Sequence, residues 1–272
     1  MQIVAITGGK GGVGKTNVAV NLSVALSKLG KDVILFDADL GLANIDLLMG
    51  LSVEHTLADV VSGRRTLGDV VITVENGLRV IPAASGVPEM ANLPTETRAA
   101  LIRGLSDEVS TPEVLIVDTG AGIDETVQTF VAACQTPVLV VCDEPASLTD
   151  CYALIKVLRN VKNIKSFNIL VNQVDTSFQG KKLFERLSSV ANKHLDVRLS
   201  YLGSIPHDPY LKRAVQERRP LVSAYPRSPA ASAFSSCAEK LVSVASNEPN
   251  SGLAFFLETL LVPAGPSDLE YE

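Results

Sequence analysis

The chain has 272 residues, 46% of them hydrophobic, with 19 glycines, 14 prolines, 24 basic and 30 acidic side chains and a formal net charge of −6. That composition excludes a disordered, collagen-like or low-complexity chain and allows one large α/β domain with a sizeable core. The total charge also counts against a generally cationic nucleic-acid binder, but it is unevenly spread: residues 1–155 hold 9 basic and 19 acidic groups, residues 156–240 hold 15 and 6, and residues 241–272 hold none and 5.

Apolar, β-branched runs alternate with helical periodicity from the start of the chain. The first strand is expected over residues 3–7. It is followed at once by Gly9-Lys10-Gly11-Gly12-Val13-Gly14-Lys15-Thr16, a full G-x-x-x-x-G-K-[ST] phosphate loop that opens a helix over 16–29. Its glycines let backbone N–H groups close around a triphosphate, Lys15 reaches the terminal phosphates, and the Thr16 hydroxyl is placed for Mg2+. Lys10 is a second cation inside the loop. One loop does not easily aim two ammonium groups at the same phosphates from one side, and the plain reading of Lys10 is a solvated side chain that adds positive potential. The second strand, 32–36, runs into Asp37-Ala38-Asp39. Carboxylates at the carboxyl end of a strand beside a phosphate loop are where a cation and an attacking water are managed, although paired Asp residues also cap turns.

A short strand over 78–81 precedes a helix over 95–107, and an apolar strand over 114–117 ends in Asp118 before the turn Gly120-Ala121-Gly122. Asp118 reads as the carboxylate behind a Mg2+-bound water, and the N–H groups of Gly120 or Gly122 as sensors of the γ-phosphate. After a helix over 124–134, strands over 137–142, 167–171 and 200–205 alternate with helices over 148–159, 180–192 and 210–216. Asn172 ends one of these strands with an amide able to pair with both a donor and an acceptor on adenine. Pro206 and Asp208 close the next, where each is also an ordinary turn residue. The guanine-reading N-K-x-D string is absent, which favours ATP over GTP. Asp150, Lys156, Arg159 and Lys162 form either a docking strip or a solvent face.

A helix over 228–244 closes a P-loop ATPase domain spanning 1–245. Residues 246–272 form a tail with a short apolar helix at 253–262 and an acidic end. The alternation as a whole implies an α/β fold, a single doubly wound, mostly parallel β-sheet flanked by helices. The four cysteines lack C-x-x-C spacing and read as buried hydrophobes in a reducing cytoplasm, and the three histidines have no ligand or triad partner. Nothing reaches the length of a membrane span or the pattern of a signal peptide.

The string from Lys10 to Thr16 resembles the deviant phosphate loop of the MinD/ParA (SIMIBI-class) ATPases. The resemblance implies a nucleotide-sandwich homodimer in which Lys10 acts in trans on the partner's ATP, Asp37 supports the metal shell and Asp39 positions the hydrolytic water. Further strings, from Asp37 to Gly50, Val80 to Gly86, Val141 to Leu154, Ile205 to Ala214 and Ala224 to Ser228, resemble the FlhG/FleN group of that family, regulators of flagellar number and placement. What this implies is slow, dimerisation-dependent ATP hydrolysis, restraint of a σ54-dependent flagellar activator (FleQ/FlrA type) and coupling to the GTPase FlhF. Gly120 departs from both the proline and the alanine that the family more often carries there, which implies a looser switch. Many family members carry an N-terminal extension with a D-Q-A-containing motif that stimulates FlhF; this sequence starts directly with the first strand, so that stimulation is not expected of it. Membrane contact, where the family has it, would fall to 253–262, but no Lys or Arg follows Lys240; that helix either reaches a bilayer or packs back on the body. The expected location is the cytoplasm, peripheral at the inner membrane or cell pole when the tail engages. The alternatives are a ParA-like ATPase coating DNA through the 156–240 block and another MinD-type positioning ATPase; direct DNA binding is not expected.

Overall fold

The structure, a computed structural model, describes residues 1–39, 44–56, 59–60, 62–82 and 111–243. The helix expected over 95–107 and the tail at 246–272, with its apolar stretch 253–262, lie outside the described residues. Eight strands make one sheet: β1 (Gln2–Gly8), β2 (Val33–Ala38), β3 (Ile72–Thr73), β4 (Arg79–Ile81), β5 (Val114–Ala121), β6 (Thr136–Cys142), β7 (Ser166–Val174) and β8 (Arg198–Pro206). Their order is β3-β4-β2-β5-β1-β6-β7-β8. Every pairing is parallel except β3 with β4. The helices are α1 (Lys15–Lys28), α2 (Ile45–Met49), α3 (Glu125–Ala132), α4 (Pro145–Lys162), α5 (Ser177–His194), α6 (Pro209–Gln216), α7 (Leu221–Ala224) and α8 (Pro229–Ser243).

The central strands are apolar at consecutive positions because both sheet faces are covered, and side chains alternate between the two cores with period two. In β1, Ile3 and Ala5 enter one buried cluster and Val4 and Ile6 the other. Helices α1 and α8 cover one face through Val18, Leu22, Phe234 and Leu241. Helices α3, α4 and α5 cover the other through Phe130, Leu154, Leu158, Leu183 and Leu187. All four cysteines are buried thiols, and burial pushes the Cys237 thiol up to about 11. Among the described residues no helix is long and apolar enough to cross a membrane.

Three boundaries differ from the expectation in a way that bears on function. β5 continues past residue 117 through Asp118 to Ala121, and its pairing with β1 slips between Ile6 and Gly8. β7 continues through Asn172 to Val174. Helix α4 starts at Pro145 rather than 148, with proline in the first turn, where its missing N–H costs nothing. The short elements β3, α2 and α7 fall below the length at which periodicity is readable.

Candidate functional site

The phosphate loop leaves the end of β1, the strand between β5 and β6 at the middle of the sheet. In such sheets the crevice beyond the carboxyl ends of the strands is the binding position. Gly14 stands just before α1 with φ +87 and no side-chain cap, and the first turn of α1 carries no acidic residue. The open N–H groups of that turn are therefore available to an anion, with no side-chain cap competing for them. Two backbone approaches explain the glycines. A Cβ on Gly9 would lie 2.2 Å from the Asp150 carbonyl oxygen in α4, and one on Gly14 would lie 2.5 Å from the Asn172 amide nitrogen. The loop is thus clamped between α4 and β7. Gly11 and Gly12 meet nothing on that side and border open space, while Val13 is buried in the core under the loop.

The carboxylates converge on the start of α1. Asp37 and Asp118 are register partners on neighbouring strands β2 and β5, and each is 1% exposed. Asp37 holds both ends of the following segment: Oδ1 accepts from the Asp39 N–H at 3.1 Å and Oδ2 from the Ile45 N–H at 3.5 Å. Thr16 donates its hydroxyl to Asp118. Lys15, 8% exposed, is pushed below its ordinary pKa by burial, and the charges of Asp118 and Asp39 oppose that shift. Burial likewise pushes Asp118 up to about 8 and Asp37 up to about 6, partly offset in Asp118 by the Thr16 hydrogen bond and in Asp37 by backbone donors.

One oxygen decides whether Mg2+ fits. Asp118 Oδ1 is buried and has no hydrogen-bond partner, an arrangement that is costly unless a cation or its water occupies the lone pair. Among the described residues no cluster of three or more His, Cys, Asp or Glu forms a metal cage. Magnesium does not need one, because it keeps several waters and is held by one or two carboxylates together with phosphate oxygens. Thr16, Asp37 and Asp118 are an all-oxygen donor set of that kind. The same shifts set a pH dependence. Both folded-state values lie above that of an unfolded aspartate, so the native state holds protons that the unfolded chain has lost, and stability falls as pH rises between them. In EDTA and without nucleotide, the melting temperature is expected to fall between about pH 5 and about pH 8. Asp118→Asn should flatten that fall in circular-dichroism melts; parallel slopes for the two proteins would refute it.

The remaining residues are placed less as expected. Lys10 is paired with Glu144, just before α4 in its own chain, and this hydrogen bond holds its ammonium above the ordinary lysine range. Asn172, 2% exposed, donates to the Val13 carbonyl at 2.9 Å and accepts from the Gln173 N–H at 3.0 Å. It ties the phosphate loop to β7, a role missed by the adenine reading. One amide hydrogen and one lone pair remain on Asn172 for a base. Asp208 spends both oxygens on helix starts, accepting from Tyr210 N–H and from Ala230 N–H at 2.9 Å each, so its task here is capping. Pro206 ends β8 opposite Val174. Gly122 has φ +106 and donates its N–H to the Gly8 carbonyl at 3.1 Å, so that donor is engaged within the chain. A Cβ on Gly120 would lie 3.7 Å from Asp39 Oδ1, ordinary contact distance, so the site has room for the family's alanine. Arg159 is bound by Asn163 at 2.9 Å and by Asp196 at 3.5 Å, so one member of the group read on α4 as either a docking strip or a solvent face is engaged within the chain.

Comparison with known proteins agrees with this geometry. The model of the CobQ/CobB/MinD/ParA nucleotide-binding domain matches residues 4–221. The chain is 48% identical over 263 residues, 96% of its own length and 94% of the other's, to a protein described as antiactivator FleN from Pseudomonas aeruginosa. It is 36% identical over 267 residues, 96% and 90% of the two chains, to the flagellum site-determining protein YlxH of Helicobacter pylori. Among solved structures, the septum site-determining protein MinD of Pyrococcus horikoshii, complexed with Mg-ADP, superposes with a TM-score of 0.71 at 27% identity and covers 90% of this chain and 97% of that one. The two-lysine phosphate loop, the doubly wound sheet around it and similarity over nearly the whole length agree: this chain belongs to the CobQ/CobB/MinD/ParA family of nucleotide-binding proteins, with a likeness that runs to its flagellar members.

Proposed function

We propose that this protein is an ATP-dependent dimerising switch that hydrolyses ATP and regulates flagellar number and biosynthesis. The observation that carries the reading is the division of labour between the loop's two lysines. Lys15 is buried against Asp118 and Asp39, whereas the Lys10 side chain turns away from that site, partly exposed and paired with Glu144. A lysine in that place has no phosphate to serve within its own chain, and a second copy closing over the nucleotide face supplies one. The 48% identity to a protein described as an antiactivator supports a target that is an activator. We assign that role to a σ54-dependent flagellar activator of the FleQ/FlrA type, with coupling to FlhF.

In this reading the N–H groups of Gly11–Thr16 bind the triphosphate and Lys15 bridges its terminal oxygens. Thr16, Asp37 and Asp118 would hold Mg2+, which supplies positive charge against the β- and γ-phosphates. Asp39 orients a water in line with the γ-phosphorus. The new P–O bond forms as the bond to the ADP oxygen breaks, and Lys10 of the partner subunit compensates charge on the transferred group. Asn172 carries the loop and, with Pro206, borders the base. We place the protein in the cytoplasm, peripheral at the inner membrane or pole when residues 253–262 meet lipid.

Size-exclusion chromatography with Mg-ADP and with a Mg-ATP analogue tests this, run with and without the activator's ATPase domain, liposomes and duplex DNA. The expected result is a monomer with ADP and a dimer with the analogue that co-elutes with the activator domain. A monomer in both states would sink the switch, and a dimer that shifts only with DNA would move the function to DNA segregation.

A further inference from the structure

The stretch from α6 into α7 carries a charge pattern that the nucleotide chemistry does not use. Between Pro209 and Arg227 stand five cations, Lys212, Arg213, Arg218, Arg219 and Arg227, against the single carboxylate of Glu217, in a chain whose total is −6. All of them are exposed. Glu217 is spent inside the patch: its Oε1 accepts from Arg213 Nε at 3.0 Å and from the Tyr225 hydroxyl at 2.8 Å. The Arg213 guanidinium lies 5.7 Å from the centre of the Tyr225 ring, and Tyr210 packs on the same ring with centroids 4.9 Å apart. The result is a pre-ordered cluster of two tyrosines and an arginine. Tyr210 is 45% and Val215 37% exposed beside it, and among the described residues no ion pair engages Arg218, Arg219 or Arg227.

The platform is joined to the parts that hold the nucleotide. Val222 donates its N–H to Asn21 Oδ1 at 3.0 Å and accepts from Lys28 Nζ at 2.6 Å, which fixes α7 to α1. Gly50, just after α2, has φ +64, and a Cβ there would lie 3.0 Å from the Arg218 carbonyl oxygen. A shift of α2, whose start is held by Asp37, is therefore passed by direct backbone contact to the Arg218–Arg219 turn.

The chemistry of the patch selects its partner. Rigid Tyr and Arg side chains with an apolar neighbour are the composition of protein-interface anchors. The platform has five cations, one of them already paired with Glu217, fewer than the roughly 6–10 phosphate contacts of a strongly salt-dependent duplex binder. The net negative body repels a long polyanion, whereas a short acidic segment senses mainly charges within a Debye length of about 8 Å. We propose that the Arg213–Tyr225 platform docks an acidic segment of a partner protein, glutamates or aspartates flanking an apolar side chain, and that nucleotide state regulates this docking through α1 and α2. The docking stands by itself; its regulation rests on the switch described above.

Fluorescence anisotropy on the full chain tests both parts. The probes are a labelled helical peptide with glutamates flanking a leucine stripe, its Glu→Lys counterpart and a short DNA duplex, each with Mg-ADP and with a Mg-ATP analogue. The double variant Arg213→Glu/Arg219→Glu is expected to weaken the acidic peptide about tenfold and to bind the lysine peptide instead. Lys181→Glu/Lys193→Glu on the exposed face of α5 should leave both affinities unchanged. Equal losses from the two double variants would reduce the effect to net charge and overturn the site, as would tighter binding of DNA than of peptide at physiological salt. Different peptide affinities in the two nucleotide states support the regulation. Equal affinities, with ATP-analogue dimerisation intact by size exclusion, overturn the regulation and leave the ATPase switch standing.

Discussion

Lys10→Ala is expected to lower the ATP-hydrolysis rate by about 10³-fold while nucleotide affinity stays within a few-fold of the unaltered protein. A cation supplied in trans to a transferring phosphoryl group is worth roughly 10³–10⁵ in rate, and an ammonium, a single point charge, belongs at the low end of that range. Affinity should survive because Lys10 takes no part in holding the loop. Its side chain is 35% exposed and its partner, Glu144, is 55% exposed, so the pair is a solvent-screened one that is easily exchanged for another. Lys15, by contrast, is buried against Asp118 and Asp39. The decisive measurement is specific activity against protein concentration. The unaltered protein should turn over faster per chain as concentration rises, and the variant should be slow at every concentration. A Lys10→Ala protein with normal, concentration-dependent activity would remove the trans role and with it the division between the two lysines.

Asp39→Ala should separate assembly from chemistry. Its carboxylate approaches the Gly120 backbone, with Oδ1 3.7 Å from where a Cβ on Gly120 would stand, while Asp37 fixes its backbone N–H at 3.1 Å. A group held in that way can orient a water between the phosphate loop and β5 without itself binding the phosphates. Removing a positioned base costs roughly 10²–10⁴ in rate, so hydrolysis should fall by about two orders of magnitude and the ATP-loaded dimer should persist for hours on a sizing column. Phosphate release and elution volume, measured on the same sample, check both halves. Hydrolysis within twofold of the unaltered protein, or a dimer that no longer forms, would refute the assignment. Asp37→Ala is a different perturbation, because Asp37 accepts from the N–H groups of both Asp39 and Ile45 and its loss leaves both without that acceptor.

The parallel sheet, the phosphate loop and the three strand-end aspartates were legible in the sequence because each is a local pattern. Consecutive apolar positions signal a strand covered on both faces, and the loop's glycines, lysine and threonine follow at fixed spacing. Asn172 shows where such reading stops. Its type and place at a strand end pointed to a base, but the Val13 carbonyl that it binds lies 159 residues earlier, and only the packing of β7 beside the loop brings them together. Asp208 could equally have been read as a helix cap from the proline that follows it; that it caps α8 as well as α6 requires the two helix starts to meet in space.

By itself, then, the sequence determined the outline of a nucleotide site: a phosphate loop, aspartates beside it at the strand ends and a second lysine in the loop, all carried within short stretches of chain. Tertiary structure alone decided what those residues are coupled to. It set Asp37 against Asp118 through strand register, left Asp118 with an oxygen lacking a donor, gave Lys10 to Glu144 and joined the Arg213–Tyr225 platform to α1 and α2. The physical reason is range. Propensity and spacing act over a few residues, whereas burial, register and charge pairing depend on which distant segments the folded sheet places side by side.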